Sequence, residues 1–140
     1  MYYTEILSGL WISDAHILSK PQFFRDHHIS IVINCTQLFE FPNIPDSSLQ
    51  KIRIPFYSET SDKNNLDLLL QNHRKITQFL KENLSDHNIL ICCYDGLSLS
   101  PMIAALLIKE LGTIDQKSIY EILLGHNKDF SLWCDLALFD

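Results

Sequence analysis

The chain has 140 residues, enough for one domain with its own core, and 46% of them are hydrophobic with four glycines and five prolines, which excludes a disordered segment. A net charge of −6 without a basic stripe speaks against a nucleic-acid binder and against docking on anionic membranes. Cys35, Cys92, Cys93 and Cys134 lack zinc-type spacing and two are adjacent, so they point to a reduced intracellular, cytoplasmic protein rather than a disulfide framework. No basic-then-apolar leader opens the chain, no apolar run has membrane-spanning length, and there is no internal repeat.

In chain order, Tyr3 to Leu7 and Leu10 to Ile12 read as two short strands broken by a Ser8-Gly9 turn. Asp14 to Ser19 reads as a helical turn capped by Asp14, and Pro21 to His27 as a short helix with Phe23 and Phe24 inward. Ile29 to Cys35 is β-branched and uncharged, the pattern of a strand buried on both faces. Phe39 to Ser48 reads as a loop holding Pro42 and Pro45, and Lys51 to Phe56 as another strand. Tyr57 to Asn65 is polar and aperiodic, a loop long enough to carry function.

Leu66 to Leu84 is the clearest amphipathic helix, with Leu66, Leu69, Leu70, His73, Ile76, Thr77, Leu80 and Leu84 on one face. Asn88 to Ile91 reads as a buried strand and Met102 to Ile108 as the heart of a buried helix stopped by Gly112. Asp115 caps a further helix through Leu124, ended by Gly125, and Phe130 to Phe139 reads as a last short helix. Strands alternating with helices imply an α/β sheet, with its ligand site at the carboxyl ends of the strands.

The segment that carries chemistry is ICCYDGLSLSP, Ile91 to Pro101. Ser100 sits where an N-cap is expected and Pro101 where its missing N–H costs nothing. A strand, a short loop beginning at a cysteine and a helix N-terminus form a device for anions, since loop N–H groups and the helix dipole point the same way. A thiol at the base of such a loop has its pKa pulled down. The six histidines show no ligand spacing, and no metal or cofactor is expected. Trp11 and Trp133 read as core.

These residues resemble the dual-specificity phosphatases, the small branch of the protein tyrosine phosphatase superfamily. ILSGLWISDA (Ile6 to Ala15) looks like that family's opening strand pair and IVINCT (Ile31 to Thr36) like its next strand. IRIPF (Ile52 to Phe56) resembles the strand before the general-acid loop and FSLWCDLALFD (Phe130 to Asp140) the last helix, with Asn43 to Gln50 matching least. The resemblance implies one domain over residues 1–140, with a central mixed sheet of about five strands flanked by helices on both faces.

The family signature is His-Cys, five residues, Arg, then Ser or Thr. Cys93 stands at the nucleophile, Gly96 at the glycine and Ser100 at the hydroxyl that eases the thiolate as leaving group. Tyr94, Asp95, Gly96, Leu97, Ser98 and Leu99 form the phosphate-binding loop, but Leu99 stands at the arginine and Cys92 at the histidine. Arginines that stabilise phosphoryl transfer are worth about 10³ to 10⁵ in rate, about 4 to 7 kcal/mol of barrier. Without that arginine and histidine the resemblance implies a higher pKa for Cys93 and less thiolate at neutral pH, and the Asp95 carboxylate near a pocket meant for a dianion works in the same direction. Asp62 aligns with the general acid, with Ser58 and Glu59 as other positions, and it reads equally as a solvated loop carboxylate.

Tyr94 reads either as a rim ring for substrate stacking or as packing. Cys92 is expected as a small core residue and Cys35 either as buried and inert or as a resolving thiol for Cys93.

The resemblance therefore implies a pseudophosphatase that binds a protein partner, phosphorylated or otherwise engaging phosphatases, with no nucleic acid and no membrane. The alternatives are a weak phosphatase working through a Cys93 phosphocysteine, and a cysteine redox protein on the same scaffold.

Overall fold

The computed structural model describes residues 2–45, 48–112 and 114–140. Residues 46 and 47, inside the loop expected from Phe39 to Ser48, lie outside that set. Among the described residues five strands form one mixed sheet: β1 (Tyr3–Leu7), β2 (Leu10–Asp14), β3 (Ile29–Asn34), β4 (Gln50–Arg53) and β5 (Asn88–Cys93). Their order is β1-β2-β5-β3-β4. β1 and β2 are antiparallel, while β2, β5, β3 and β4 run parallel. The helices are α1 (Pro21–Asp26), α2 (Lys63–Asn83), α3 (Leu99–Leu111) and α4 (Gln116–His126).

Strand alternation divides the sheet residues between two cores. Ile31, Ile33, Ile89, Ile91 and Cys93 face one side, where Leu69 and Leu80 of α2 and Met102 to Ile108 of α3 cover them. Val32, Leu90 and Cys92 face the other, against Ile17, Leu18, Phe23 and Phe24. The helices thus cover both faces, as the resemblance implies. No helix among the described residues is long and apolar enough to cross a membrane.

Asp14 caps the 3-10 turn Ala15–Ser19 as expected, accepting the His16 N–H at 3.0 Å, and its second oxygen takes the Tyr2 N–H at 2.7 Å. Asp115 caps α4 by accepting the Ser118 N–H at 2.8 Å.

Several boundaries differ from the sequence reading. β4 ends at Arg53 rather than Phe56, because Pro55 has no N–H and the chain turns there, with the Phe56 N–H on the Ile54 carbonyl at 2.8 Å. β5 continues to Cys93, since Ser13 and Asn34 flank Cys92 and Asp14 pairs with Cys93. α2 begins at Lys63, three residues early, because Asp62 is its cap, and Leu70 is exposed rather than on the buried face. Gly125 lies inside α4, which runs to His126. Phe130 to Phe139 is mostly irregular, with a 3-10 turn at Leu136–Phe139.

Candidate functional site

The cysteine loop lies at the carboxyl end of β5, between Cys93 and the first residue of α3. Gly96 is its tightest point, with φ at +73°. A Cβ there would stand 2.8 Å from Asp14 N and 2.8 Å from the Ser13 carbonyl carbon, so the loop is seated on the end of β2. The C-terminal segment holds it from another side, through the Ser131 N–H on the Leu97 carbonyl at 2.8 Å.

Cys93 is fully buried, and its Sγ takes the Gly96 N–H at 3.2 Å and lies 3.2 Å from Ser100 Oγ. The thiol also points to Asp95 Oδ1 at 3.8 Å. That same carboxylate oxygen accepts the Leu97 N–H at 2.9 Å. The loop's own carboxylate therefore lies over the thiol and occupies an amide that an incoming oxyanion would need. Leu99 is 2% exposed and packs into the core. The first residue of α3 thus gives the site an apolar wedge, and Asp95 sets a negative charge beside the thiol.

Electrostatics follow from burial. Desolvation pushes the Cys93 thiol up, opposed by the hydrogen bond from Ser100 and reinforced by the Asp95 carboxylate. The direction is the one that the departures at Cys92 and Leu99 and the nearby Asp95 imply, opposite to the lowering a bare cysteine loop gives, and burial is its largest cause. Cys35 and Cys92 are pushed up as well, again by burial first, while partial burial and Asp135 raise Cys134 to about 11. All four cysteines are free, and Cys92 and Cys93 face opposite sides of the sheet. Cys35 lies on the Cys93 side, with its N–H on the Cys92 carbonyl at 2.8 Å.

These buried thiols make stability depend on pH. A thiol whose folded pKa is raised holds its proton longer in the folded than in the unfolded chain. Its contribution is complete below the ordinary value of 9.0 and is lost as pH rises through the folded value. Urea titrations should therefore show stability falling above about pH 9, with each of the buried thiols Cys35, Cys92 and Cys93 adding about 1.4 kcal/mol per pH unit. Cys92→Ala should make that fall shallower, and an unchanged slope would count against the assignment.

Ser100 is not the cap of α3. The cap position is Ser98, Leu99 is the first helical residue and Ser100 the second, which frees its hydroxyl for Cys93. Pro101 stays in the first turn, where no N–H is needed. Ser98 makes no side-chain cap bond, because its Oγ lies 3.0 Å from Thr60 Oγ1. Thr60 thus ties the loop from Tyr57 to Asp62 to the cysteine loop.

Asp62 caps α2 by accepting the Asn64 N–H at 2.9 Å, so its carboxylate is engaged at the helix start rather than simply solvated. Ser58 and Glu59 are exposed. Tyr94 is anchored: its hydroxyl donates to the Phe56 carbonyl at 2.8 Å and accepts the Gln37 N–H at 3.1 Å, and its ring meets Phe39 edge-on.

Sequence reasoning missed three positioning residues. Thr60 is one. Asn65, fully buried, accepts the Tyr57 N–H at 2.7 Å and donates to the carbonyls of Tyr57 and Glu59 at 3.0 Å each, which sets the course of the loop before α2. Asn34 does the same for the next loop, donating to the Phe39 carbonyl and accepting the N–H and hydroxyl of Thr36. An asparagine at the start of an amphipathic helix and one at a strand end were the available signals, but their partners are not adjacent in sequence. No group of three or more His, Cys, Asp or Glu able to hold a metal occurs among the described residues.

Among solved structures, the chain is similar to human DUSP28, with a TM-score of 0.80 at 10% identity over 98% of this chain and 89% of that one. It is similar to a mouse putative dual specificity phosphatase complexed with zinc tungstate, with a TM-score of 0.81 at 12% identity, covering 98% and 83%. It is also similar to human tyrosine phosphatase-like serine/threonine/tyrosine-interacting protein, with a TM-score of 0.78 at 14% identity, covering 98% and 90%. At these identities the likeness establishes the dual-specificity phosphatase fold. None of the curated proteins matches the sequence. The family model described as the Rit1 DUSP-like domain matches residues 54–128, which include the acid loop, α2, the whole cysteine loop and α3. Matched over more than half its length, this chain belongs to the family of Rit1 DUSP-like domains.

Proposed function

We propose that the chain is a catalytically impaired phosphatase-fold protein, a pseudophosphatase, that works as a protein-binding module in a reducing compartment. The observation that carries this reading is the state of the cysteine loop. The Asp95 carboxylate lies over Cys93 and takes the Leu97 N–H, while Leu99 fills the arginine position as part of the core. A phosphate dianion entering the loop has to displace that carboxylate, and it meets no guanidinium. The partner is a protein, phosphorylated or otherwise engaging phosphatases, that meets the face around the loop. Leu38, Phe39 and Tyr57 are exposed there, and the ring of Phe39 leans on Tyr94.

Aryl phosphate hydrolysis tests the reading. Turnover should equal that of the Cys93→Ser variant, and turnover well above this control would overturn it. A second reading, a weak phosphatase, has one observation in its favour. Sγ of Cys93 still meets the Ser100 hydroxyl and the Gly96 N–H at 3.2 Å each, the contacts a thiolate needs. Trapping of a phosphocysteine on Cys93 would establish that reading in place of the first.

A further inference from the structure

Among the described residues β4 forms one edge of the sheet and pairs with β3 alone. In a parallel pair the N–H and C=O of one residue point to the same side, and the side alternates along the strand. The Ile54 N–H turns inward, to the Asn34 carbonyl at 3.0 Å. The backbone groups of Lys51 and Arg53 therefore turn outward, to an edge that no strand of the described residues covers. Lining the gap between this edge and α2 is an apolar cavity of about 140 Å³, formed by Ile33, Ile52, Ile54, Lys75, Ile76 and Phe79. An edge strand beside a helix, with an apolar pocket between them, is the geometry on which an extended peptide adds as a further strand. Main-chain hydrogen bonds supply affinity, and the pocket selects alternate side chains.

Charge narrows the occupant. Ile52 and Ile54 face α2, so Lys51 and Arg53 face the opposite side of the sheet. Arg53 reaches there to the carbonyls of Thr36 and Phe39 and lies over the ring of Phe41. Lys51 and Lys75 are both exposed, and no carboxylate pairs with either among the described residues. Glu82, two turns past Lys75 on α2, is held by Gln78 at 2.7 Å, and Asp67 lies two turns before it. A chain with a net charge of −6 thus presents lysines at this edge.

We propose that β4 and α2 bind an extended segment of a partner protein as a sixth strand. One branched aliphatic residue enters the cavity. Acidic residues immediately before and after it fall beside Lys51 and Arg53, and a further acid two positions on falls beside Lys75. A second copy of this chain fits less well, because antiparallel pairing of two β4 edges sets Lys51 and Arg53 against their own counterparts. This groove lies along the edge of the sheet, and its use does not depend on what the cysteine loop does.

The test uses the full chain and a labelled peptide, Ser-Thr-Glu-Ile-Glu-Asp-Thr-Ser, followed by fluorescence anisotropy. Saturable binding is expected. Replacing the peptide's isoleucine with glycine, or introducing Lys51→Glu or Lys75→Glu, should each weaken it about tenfold. Both lysines are exposed, so circular dichroism should show the variants folded. Hydrogen exchange should show new protection at the amides of Lys51 and Arg53 when the peptide is bound. The proposal is overturned by any of four results: no saturation at millimolar peptide, affinity unmoved by both charge reversals, protection confined to other elements, or concentration-dependent protection of β4 without peptide, which would mark self-association.

Discussion

Cys92→His, Asp95→Ala and Leu99→Arg, combined in one variant, should raise aryl phosphate turnover at least about 10³-fold over the parent chain. The argument is electrostatic. An arginine at position 99 supplies the bidentate grip on two phosphate oxygens that leucine cannot. A histidine at position 92 favours the thiolate that burial now opposes at Cys93. Neither change is enough while Asp95 stays, because its carboxylate lies 3.8 Å from Sγ and would pair with the new guanidinium in place of substrate. Cys92→His with Leu99→Arg alone should therefore gain far less than the triple variant. Equal activity in the two would show that Asp95 is not the obstacle. No gain in either, with both variants folded, would mean that the acid loop lacks a donor, since Asp62 is engaged at the start of α2.

Gly96→Ala should destabilise the fold by about 3 kcal/mol, a fall of roughly 10 °C in Tm. Two costs add. An alanine at φ of +73° is strained, and its Cβ would meet Asp14 N and the Ser13 carbonyl carbon at 2.8 Å, where backbone cannot yield as a flexible side chain would. The β2 end is itself held, with Asp14 tied to Tyr2 and His16. Gly125→Ala is the control: nothing lies within 4 Å of a Cβ there, the residue is helical, and the change should be neutral or slightly stabilising. Similar melting of both variants with the parent would refute the picture of a loop pressed onto β2.

Much of the fold was legible because its signals are local. The β-branched run at Ile29, the leucine spacing of α2, the caps at Asp14 and Asp115 and the glycine after α3 each act within a few residues. Boundaries failed where a distant partner or a backbone turn intervened. β5 gained Cys92 and Cys93 because β2 and β3 lie alongside them, and β4 lost Ile54 to Phe56 to the turn at Pro55. The site divides in the same way. Leu99 and Cys92 could be read as departures from a signature, because a signature is a spacing along the chain. The hydroxyl of Ser100 reads from the sequence as both the cap of α3 and a partner of Cys93, and the cap fails because the helix starts at Leu99.

The sequence by itself thus determined an α/β sheet with a cysteine loop at its carboxyl end, and that Leu99 and Cys92 stand where the signature it resembles has arginine and histidine. Only the tertiary structure decided that the Asp95 carboxylate lies against the thiol, that Thr60 meets Ser98, that Asn65 sets the loop from Tyr57 and that burial is the largest cause of the raised Cys93 thiol. Spacing and periodicity encode which residues share a face of one element. Burial and the distances between elements arise only when the elements pack, and those two quantities set the charge state and the access of the loop.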